Sequence, residues 1–186
     1  MKFHPVQKQA KDNTTVILRE ATSLDAGELR RVVKEYVEES EFIPYSENEY
    51  QLTLEDEIKW IESFHEVPNS LLILALVDRK IVGNITLTGN KRQQLQHTAI
   101  VGLGMLKSFR GKGLGRILFE AAIGWARDHS SLESLTLEVN EANHVGRKLY
   151  ESLGFAEVGR LPRNVKFSTT YYTDTIIMTM KTNINN

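Results

Sequence analysis

The chain of 186 residues is 41% hydrophobic and 25% charged, a length and composition typical of one globular domain. Its 23 lysines and arginines nearly balance its 24 aspartates and glutamates, so the overall charge gives no case for binding nucleic acid or an anionic membrane surface. The chain has no cysteine, which excludes disulfides, thiolate metal sites and a cysteine nucleophile.

The N-terminal residues 1–13 are polar, and we predict them to be a loose lead-in to a single domain over residues 14–182. They contain no apolar core of signal-peptide length. The most apolar stretch, residues 71–77, is far shorter than the roughly 18 apolar residues that a membrane span needs. These features predict a soluble cytoplasmic protein.

The first half of the domain begins with a short predicted strand at residues 16–19 and continues with two amphipathic helices. Apolar residues recur at helical spacing over residues 25–39, which predicts the first helix. Thr53 with Asp56 resembles a capping box and predicts the start of the second helix. The side chains expected on its inner face are Leu54, Ile58, Ile61 and Phe64.

Three strands follow at the centre of the chain. Residues 71–77 form a continuous apolar run, typical of a strand buried on both faces, and residues 81–88 are predicted to pair with them as a hairpin. A polar loop leads to a third strand at residues 97–106. Gly102 and Gly104 interrupt this strand, which indicates a bulge or the close approach of another backbone or a ligand.

The C-terminal half alternates helices and strands. A helix with an apolar face follows residue 113, and then come a strand at residues 135–139 and a helix at residues 143–153. Two further strands are predicted at residues 156–165 and 170–180. Together these elements predict an α/β domain with a mixed, mostly antiparallel central sheet flanked by helices.

The segment Arg110-Gly111-Lys112-Gly113-Leu114-Gly115 lies between the third central strand and the next helix. Its glycines leave backbone N–H groups open, and a helix N-terminus adds partial positive charge, so the segment suits a pyrophosphate. A tight strand-to-helix turn without a ligand is the alternative. The P-loop and dinucleotide-binding patterns are not matched, because no Lys-Ser/Thr pair follows the last glycine and the glycine spacing differs.

The same segment resembles motif A of the GNAT superfamily of N-acetyltransferases, Arg/Gln-x-x-Gly-x-Gly/Ala, through Arg110, Gly113 and Gly115. Residues 137–155, LEVNEANHVGRKLYESLGF, are similar to motif B of that family. The tail is similar to bacterial members that include polyamine and ribosomal-protein acetyltransferases. The resemblance covers the chain from Val16 and implies a single-domain GNAT fold, splayed at the strand before the loop. It also implies transfer of an acetyl group from acetyl-CoA to a primary amine, by direct attack on the thioester.

The resemblance implies where acetyl-CoA binds. Its pyrophosphate is expected on the backbone amides of the loop. Its pantetheine arm is expected along the edge of the preceding strand, where a backbone N–H would polarise the thioester carbonyl. Asn143 matches the family asparagine that contacts the pantetheine, although asparagine also suits a helix N-cap. The predicted cofactor-binding residues are Leu103, Gly104, Met105, Arg110, Gly111, Lys112, Gly113, Leu114, Gly115, Arg116 and Asn143.

Two residues are predicted to be catalytic from the resemblance. Tyr150 matches the family tyrosine proposed as general acid for the departing thiolate, with packing on the helix face as the alternative. Glu138 aligns with a glutamate that some ribosomal-protein acetyltransferases use as general base, with ordinary exposure to solvent as the alternative. Many relatives have an acidic residue where this chain has Ile100, so His97 and a chain of water molecules remain as other candidates for the base.

The acceptor, a small-molecule or peptide amine, is expected beside the first two helices and their connecting loop. Acidic residues concentrate there, and they either attract a cationic acceptor or form solvated helix faces. They are Glu35, Glu38, Glu39, Glu41, Glu47, Glu49, Glu55, Asp56, Glu57, Glu62 and Glu66, against Lys59 alone.

No metal site is predicted, because the histidines are dispersed along the chain. They are His4, His65, His97, His129 and His144. Similar proteins often form homodimers, and the last strand is the candidate interface. The alternative function is a non-catalytic acyl-CoA-binding or sensing module, which would not need Tyr150. A third interpretation, a nucleotide-binding protein, would need one of the phosphate motifs that the chain lacks.

Overall fold

Eight strands pair into one sheet in the computed structural model, which describes residues 2–45, 49–128 and 131–182. The strands are β1 (Val6–Gln9), β2 (Thr15–Glu20), β3 (Leu71–Val77), β4 (Lys80–Gly89), β5 (Thr98–Met105), β6 (Ser134–Asn140), β7 (Ala156–Lys166) and β8 (Tyr172–Lys181). Their spatial order is β1-β2-β3-β4-β5-β6-β8-β7, and every neighbouring pair is antiparallel except β5 with β6. The helices are α1 (Ala26–Glu38), α2 (Leu54–Glu66), α3 (Leu114–Asp128) and α4 (His144–Ser152). The predicted fold class is confirmed.

The helices cover the two faces of the sheet unequally. α3 and α4 pack on one face, over a core that contains Phe119 and Leu135. α1 and α2 pack on the other face, where Leu29 and Ile61 belong to a second core. Within the described residues this second core takes nothing from β6, β7 or β8, and Ile100 of β5 is 62% exposed. The second face therefore stays open at Ile100 of β5 and over β6, β8 and β7, as far as the edge of the sheet.

The N-terminal segment is ordered into a strand, so the prediction of a loose lead-in before residue 14 was wrong. β1 pairs with β2 from Val6 opposite Leu18 to Gln9 opposite Thr15. The connecting turn is closed by Asn13, whose φ of 63° is a conformation that asparagine tolerates better than most residues. Backbone pairing holds this strand, which has little apolar content to reveal it in the sequence.

The sheet splits between its two parallel strands. β5 and β6 pair only from Thr98 opposite Ser134 to Ile100 opposite Thr136. β5 then continues to Met105, paired with β4 alone. The opening confirms the predicted splay, and it lies on the carboxyl side of both strands.

Close packing by side chains explains the glycines of β5, and the bulge considered from the sequence is absent. The register between β4 and β5 shows no shift from Gly83–Met105 to Gly89–Ala99. A Cβ on Gly104 would lie 2.6 Å from Oη of Tyr36, and a Cβ on Gly102 would lie 2.7 Å from Oγ1 of Thr86. At Gly104 a side chain would therefore collide with the Tyr36 ring, whereas at Gly102 only the Thr86 hydroxyl would have to move.

Helix α2 differs from its predicted inner face in one respect. The Thr53–Asp56 capping box forms as predicted, and Ile61 and Phe64 are buried. Leu54, however, is 49% exposed, whereas Glu57 is completely buried. Glu57 stands four and seven residues before the two buried side chains, so helical periodicity itself turns its carboxyl inward.

Candidate active site

A glycine-rich segment at residues 110–116, here called the glycine cradle, leads from β5 into α3. Gly111 and Gly113 have φ values of 76° and 90°, a left-handed conformation that favours glycine. The first helical donor of α3 is Ile117, whose N–H donates to the carbonyl of Gly113 at 3.2 Å. The preceding N–H groups, those of residues 114–116, have no acceptor within their own helix. N–H groups of this kind at a helix N-terminus suit an anion, and the pyrophosphate site stays a prediction.

The cationic side chains of the cradle are held by protein groups. Arg110 donates to the carbonyl of Met105 at 3.2 and 3.1 Å. Arg116 donates to Oγ of Ser152 and approaches Glu120 at 3.6 Å. These contacts fix the orientation of both guanidinium groups beside the loop.

The unpaired edge of β5 forms one wall of the opening. Leu103 and Met105 turn their side chains toward the core under α3. The first turn of α3 packs against them, since a Cβ on Gly115 would lie 3.5 Å from Cε of Met105 and 3.2 Å from Cδ2 of Leu149. The strand edge at Leu103, Gly104 and Met105, the cradle and α4 thus lie close together, and the predicted pairing of the pantetheine with this edge stays a prediction.

Tyr150 lies on α4 beside this opening. Its ring packs against Phe119 and Phe155, with centroid distances of 5.2 and 6.4 Å. Burial raises the pKa of Tyr150 above its usual value, so the phenol stays protonated at neutral pH. Its hydroxyl has no hydrogen-bond partner in the part of the chain that the structure describes. The residue therefore packs, as the alternative expected, and still carries a proton that it can donate.

Asn143 serves as the N-cap of α4. Its Oδ1 accepts a hydrogen bond from the N–H of Gly146 at 2.9 Å. The cap uses the side-chain oxygen, which leaves the amide N–H₂ as a donor that the cap does not need. The predicted contact with the pantetheine is compatible with this geometry and stays a prediction.

Glu138 projects from β6 onto the open face of the sheet. Its neighbours Leu137 and Val139 are buried under α3 and α4, whereas Glu138 is exposed. It follows by two residues the last pairing of β6 with β5, at Thr136. The carboxylate is thus the acidic group of β6 nearest the start of the opening, on the face opposite the cradle.

His97, the other residue considered as the base, lies far from the inner end of β5. His97 directly precedes β5, eight residues from Met105 at the other end of the strand, which corresponds to roughly 25 Å. Ile100 is exposed on the open face but carries no titratable group. Ile100 therefore supplies no base, and His97 lies beyond the reach of an amine bound near Met105; a chain of water molecules stays a prediction.

Most of the clustered acidic residues have partners within the fold. Ion pairs occupy Glu35, Glu38, Glu55 and Glu66. Asp56 completes the cap of α2, and Glu39 accepts a hydrogen bond from the N–H of Lys107 at 2.7 Å. Glu47, like His129, lies outside the described residues. These partners favour the solvated helix face over a collecting site for a cationic acceptor.

A buried polar pair that the sequence analysis missed connects α1 to β4, beside Gly104 of β5. The hydroxyl of Tyr36 donates to Oδ1 of Asn84 at 3.1 Å. Asn84 stands directly opposite Gly104 in the β4–β5 register, and the ring of Tyr36 covers Gly104. The position of α1 is therefore tied to the wall of the opening.

A second missed group lies beside it under α2. The hydroxyl of Tyr50 donates to Oε2 of Glu57 at 3.2 Å, and Oε1 of Glu57 has no partner among the described residues. Burial raises the pKa of Glu57, because a charged carboxylate is poorly solvated there. Buried acids are rare in sequences of this kind, and only the helical period of α2 pointed to this one.

Residues 2–45, 49–128 and 131–182 contain no group of three or more histidine, aspartate or glutamate side chains that could hold a metal ion. The same residues contain no helix long and apolar enough to cross a membrane.

Comparison with known proteins finds similarity to acetyltransferases. A family model described as the acetyltransferase (GNAT) family matches residues 31–155. The N-acetylaspartate synthetase of Xenopus tropicalis is 28% identical over 121 residues, which are 63% of this chain and 43% of that protein. An uncharacterized N-acetyltransferase of Bacillus subtilis strain 168 is 32% identical over 84 residues, 45% of this chain and 53% of that protein. The matches thus span about half the length of these two relatives.

Solved structures share the fold along nearly the whole chain. An acetyltransferase of the GNAT family from Streptococcus pneumoniae superposes with a TM-score of 0.85 at 26% identity, over 89% of this chain and 99% of that one. A putative acetyltransferase from Salmonella typhimurium, solved with acetyl-CoA, superposes with a TM-score of 0.79 at 18% identity, over 92% and 96% of the two chains. The second likeness concerns the fold alone.

Proposed function

The chain belongs to the acetyltransferase (GNAT) family, and from this premise we propose that it transfers an acetyl group from acetyl-CoA to a primary amine of a small molecule or peptide. One observation carries the proposal. The unpaired edge of β5 runs directly into the glycine cradle at the start of α3. An extended arm along the strand and a pyrophosphate on the cradle have the connectivity of CoA.

The cradle and the strand edge divide the work of binding. The N–H groups of residues 111–116 hold the pyrophosphate. They are hydrogen-bond donors at the N-terminus of α3, where the helix dipole adds partial positive charge. The backbone of Leu103, Gly104 and Met105 orients the arm by strand-like hydrogen bonds, and one of its N–H groups polarises the thioester carbonyl. Acetyl-CoA supplies an activated acetyl thioester when it is bound.

Glu138 and Tyr150 handle the protons from opposite sides of the opening. The amine reaches the thioester from the open face of the sheet, where the carboxylate of Glu138 accepts the proton that the amine must lose. The departing sulfur lies on the side of α4, where the Tyr150 hydroxyl donates a proton to it. Burial raises the pKa of Tyr150, so the phenol is neutral before the reaction and holds the proton that the departing sulfur takes up.

The test is an acetyl-transfer assay that follows release of free CoA thiol with a panel of amines, small molecules and peptides included. We expect turnover with at least one amine, and we expect Tyr150→Phe to lower kcat by about 10²-fold or more while CoA binding is retained. Tyr171→Phe, at an exposed tyrosine of the β7–β8 hairpin, is the matched control and should keep full activity.

Two outcomes would count against the proposal. Full activity of Tyr150→Phe would remove the tyrosine from the acid role. Tight binding of CoA with no turnover on any amine of the panel would favour the non-catalytic acyl-CoA-binding module instead.

A further inference from the structure

The turn of the β1–β2 hairpin contacts the glycine cradle. The N–H of Lys11 donates to the carbonyl of Lys112 at 2.9 Å. The ammonium of Lys112 approaches Oδ2 of Asp12 at 3.6 Å. Two backbone neighbours in the turn therefore contact the same loop, which fixes the hairpin against it.

The side chain of Lys11 crosses the cradle itself. Its Cγ, Cδ and Cε atoms lie 3.1, 3.5 and 3.5 Å from the position that a Cβ on Gly113 would take. The apolar stem thus covers the left-handed glycine, and the ammonium lies one bond beyond it. Lysine stems commonly pack in this way while the charged end stays in water.

The ammonium of Lys11 has no carboxylate partner in the part of the chain that the structure describes. It joins a group of cations around the loop that outnumbers the neighbouring acids. The cations are Lys11, Arg110, Lys112 and Arg116, and the acids paired with them are Asp12 and Glu120. The loop therefore carries more positive than negative charge, and this excess attracts an anion that binds among the cations.

We propose that Lys11 is a cofactor-binding residue that contacts a phosphate group of CoA, and that the N-terminal hairpin forms an outer wall of the phosphate site. The inference rests on the proposed function, because it takes CoA as the ligand of the cradle. CoA carries a pyrophosphate and a 3′-phosphate, and both have the charge that the ammonium recognises.

The test measures CoA dissociation constants by isothermal titration calorimetry for the wild-type protein, Lys11→Met, Lys11→Arg and Lys8→Met. Lys8 lies in β1 of the same hairpin and serves as the charge-matched control. We expect Lys11→Met to weaken CoA binding about three- to tenfold at low ionic strength, as fits one partly exposed charge contact. Lys11→Arg and Lys8→Met should bind like the wild type, and the defect should shrink in about 0.5 M salt.

A parallel titration with 3′-dephospho-CoA identifies the phosphate. If Lys11→Met and the wild type bind dephospho-CoA equally, Lys11 contacts the 3′-phosphate; if the variant is weaker here as well, it contacts the pyrophosphate. The inference is overturned if Lys11→Met binds CoA like the wild type, or if Lys8→Met loses as much affinity. Failure of the wild-type protein to bind CoA would instead refute the proposed function, so the two failures are distinguishable.

Discussion

Gly104 is a position at which a single methyl group should disturb the opening beside β5. An alanine Cβ there would lie 2.5 Å from Cε2 and 2.6 Å from Oη of Tyr36. This is about 1 Å inside the ~3.5 Å at which non-bonded heavy atoms attract best. Tyr36 is held by its hydrogen bond to Asn84 and by the core under α1, so its ring cannot easily turn away.

We expect Gly104→Ala to destabilise the protein by about 1–3 kcal/mol, the usual cost of overpacking a core. For a domain of this length that corresponds to a fall in Tm of about 2–12 °C. The collision with Tyr36 can be relieved only if β5 or α1 moves. CoA binding should therefore weaken as well, because β5 borders the proposed CoA site. Differential scanning calorimetry and CoA titration measure the two effects.

The control and the refutation use the same assays. Gly124→Ala lies inside α3, where a Cβ meets nothing within 4 Å, and should be neutral or stabilising by about 0.5–1 kcal/mol. Adding Tyr36→Leu to Gly104→Ala removes the collision, so the double variant should be more stable than the sum of the two single changes. A Gly104→Ala variant with wild-type Tm and CoA affinity would refute the steric reasoning.

Three further predictions concern pH, helix capping and cradle charge. The pKa of the Glu57 carboxyl is raised by burial above 4.5, so the folded state holds its proton more tightly and the free energy of unfolding falls as pH rises between the unfolded and folded pKa values. Glu57→Gln should remove that decline, which urea unfolding at several pH values would measure. If the free energy of unfolding of the variant changes with pH as steeply as that of the wild type, Glu57 does not cause the decline. Thr53→Ala should cost about 1 kcal/mol through loss of the α2 cap, and an unaltered urea midpoint would count against the cap. Asp12→Asn should strengthen CoA binding up to about fivefold, because it frees Lys112; weaker binding in a calorimetric titration would contradict this.

Local patterns in the sequence predicted the elements whose stability is local. The Thr53–Asp56 capping box marks the start of α2, and the apolar run at residues 71–77 marks a strand buried on both faces. β1 was missed because an edge strand of mostly exposed residues is held by backbone pairing and by its turn. Such pairing leaves little trace in hydrophobic periodicity.

In the candidate site too, local features could be predicted from the sequence, whereas contacts between distant residues could not. The glycine cradle could be predicted because a left-handed backbone at Gly111 and Gly113 requires a particular residue type. The contacts of Tyr36 with Gly104, and of Lys11 with Gly113, join residues far apart in the chain. Neither contact has a spacing rule, so only the folded chain could show it.

Calorimetric measurement of Tm with and without acetyl-CoA tests the central claim most directly, with ATP and NAD as competing nucleotide ligands. At about one hundred times its dissociation constant, acetyl-CoA should add about 2.7 kcal/mol of stability, which corresponds to a rise in Tm of about 5–11 °C. ATP and NAD should have much smaller effects, because they lack the pantetheine arm that we propose pairs with β5. An unchanged Tm at millimolar acetyl-CoA, or equal shifts with all three ligands, would contradict the assignment of the cleft to acetyl-CoA.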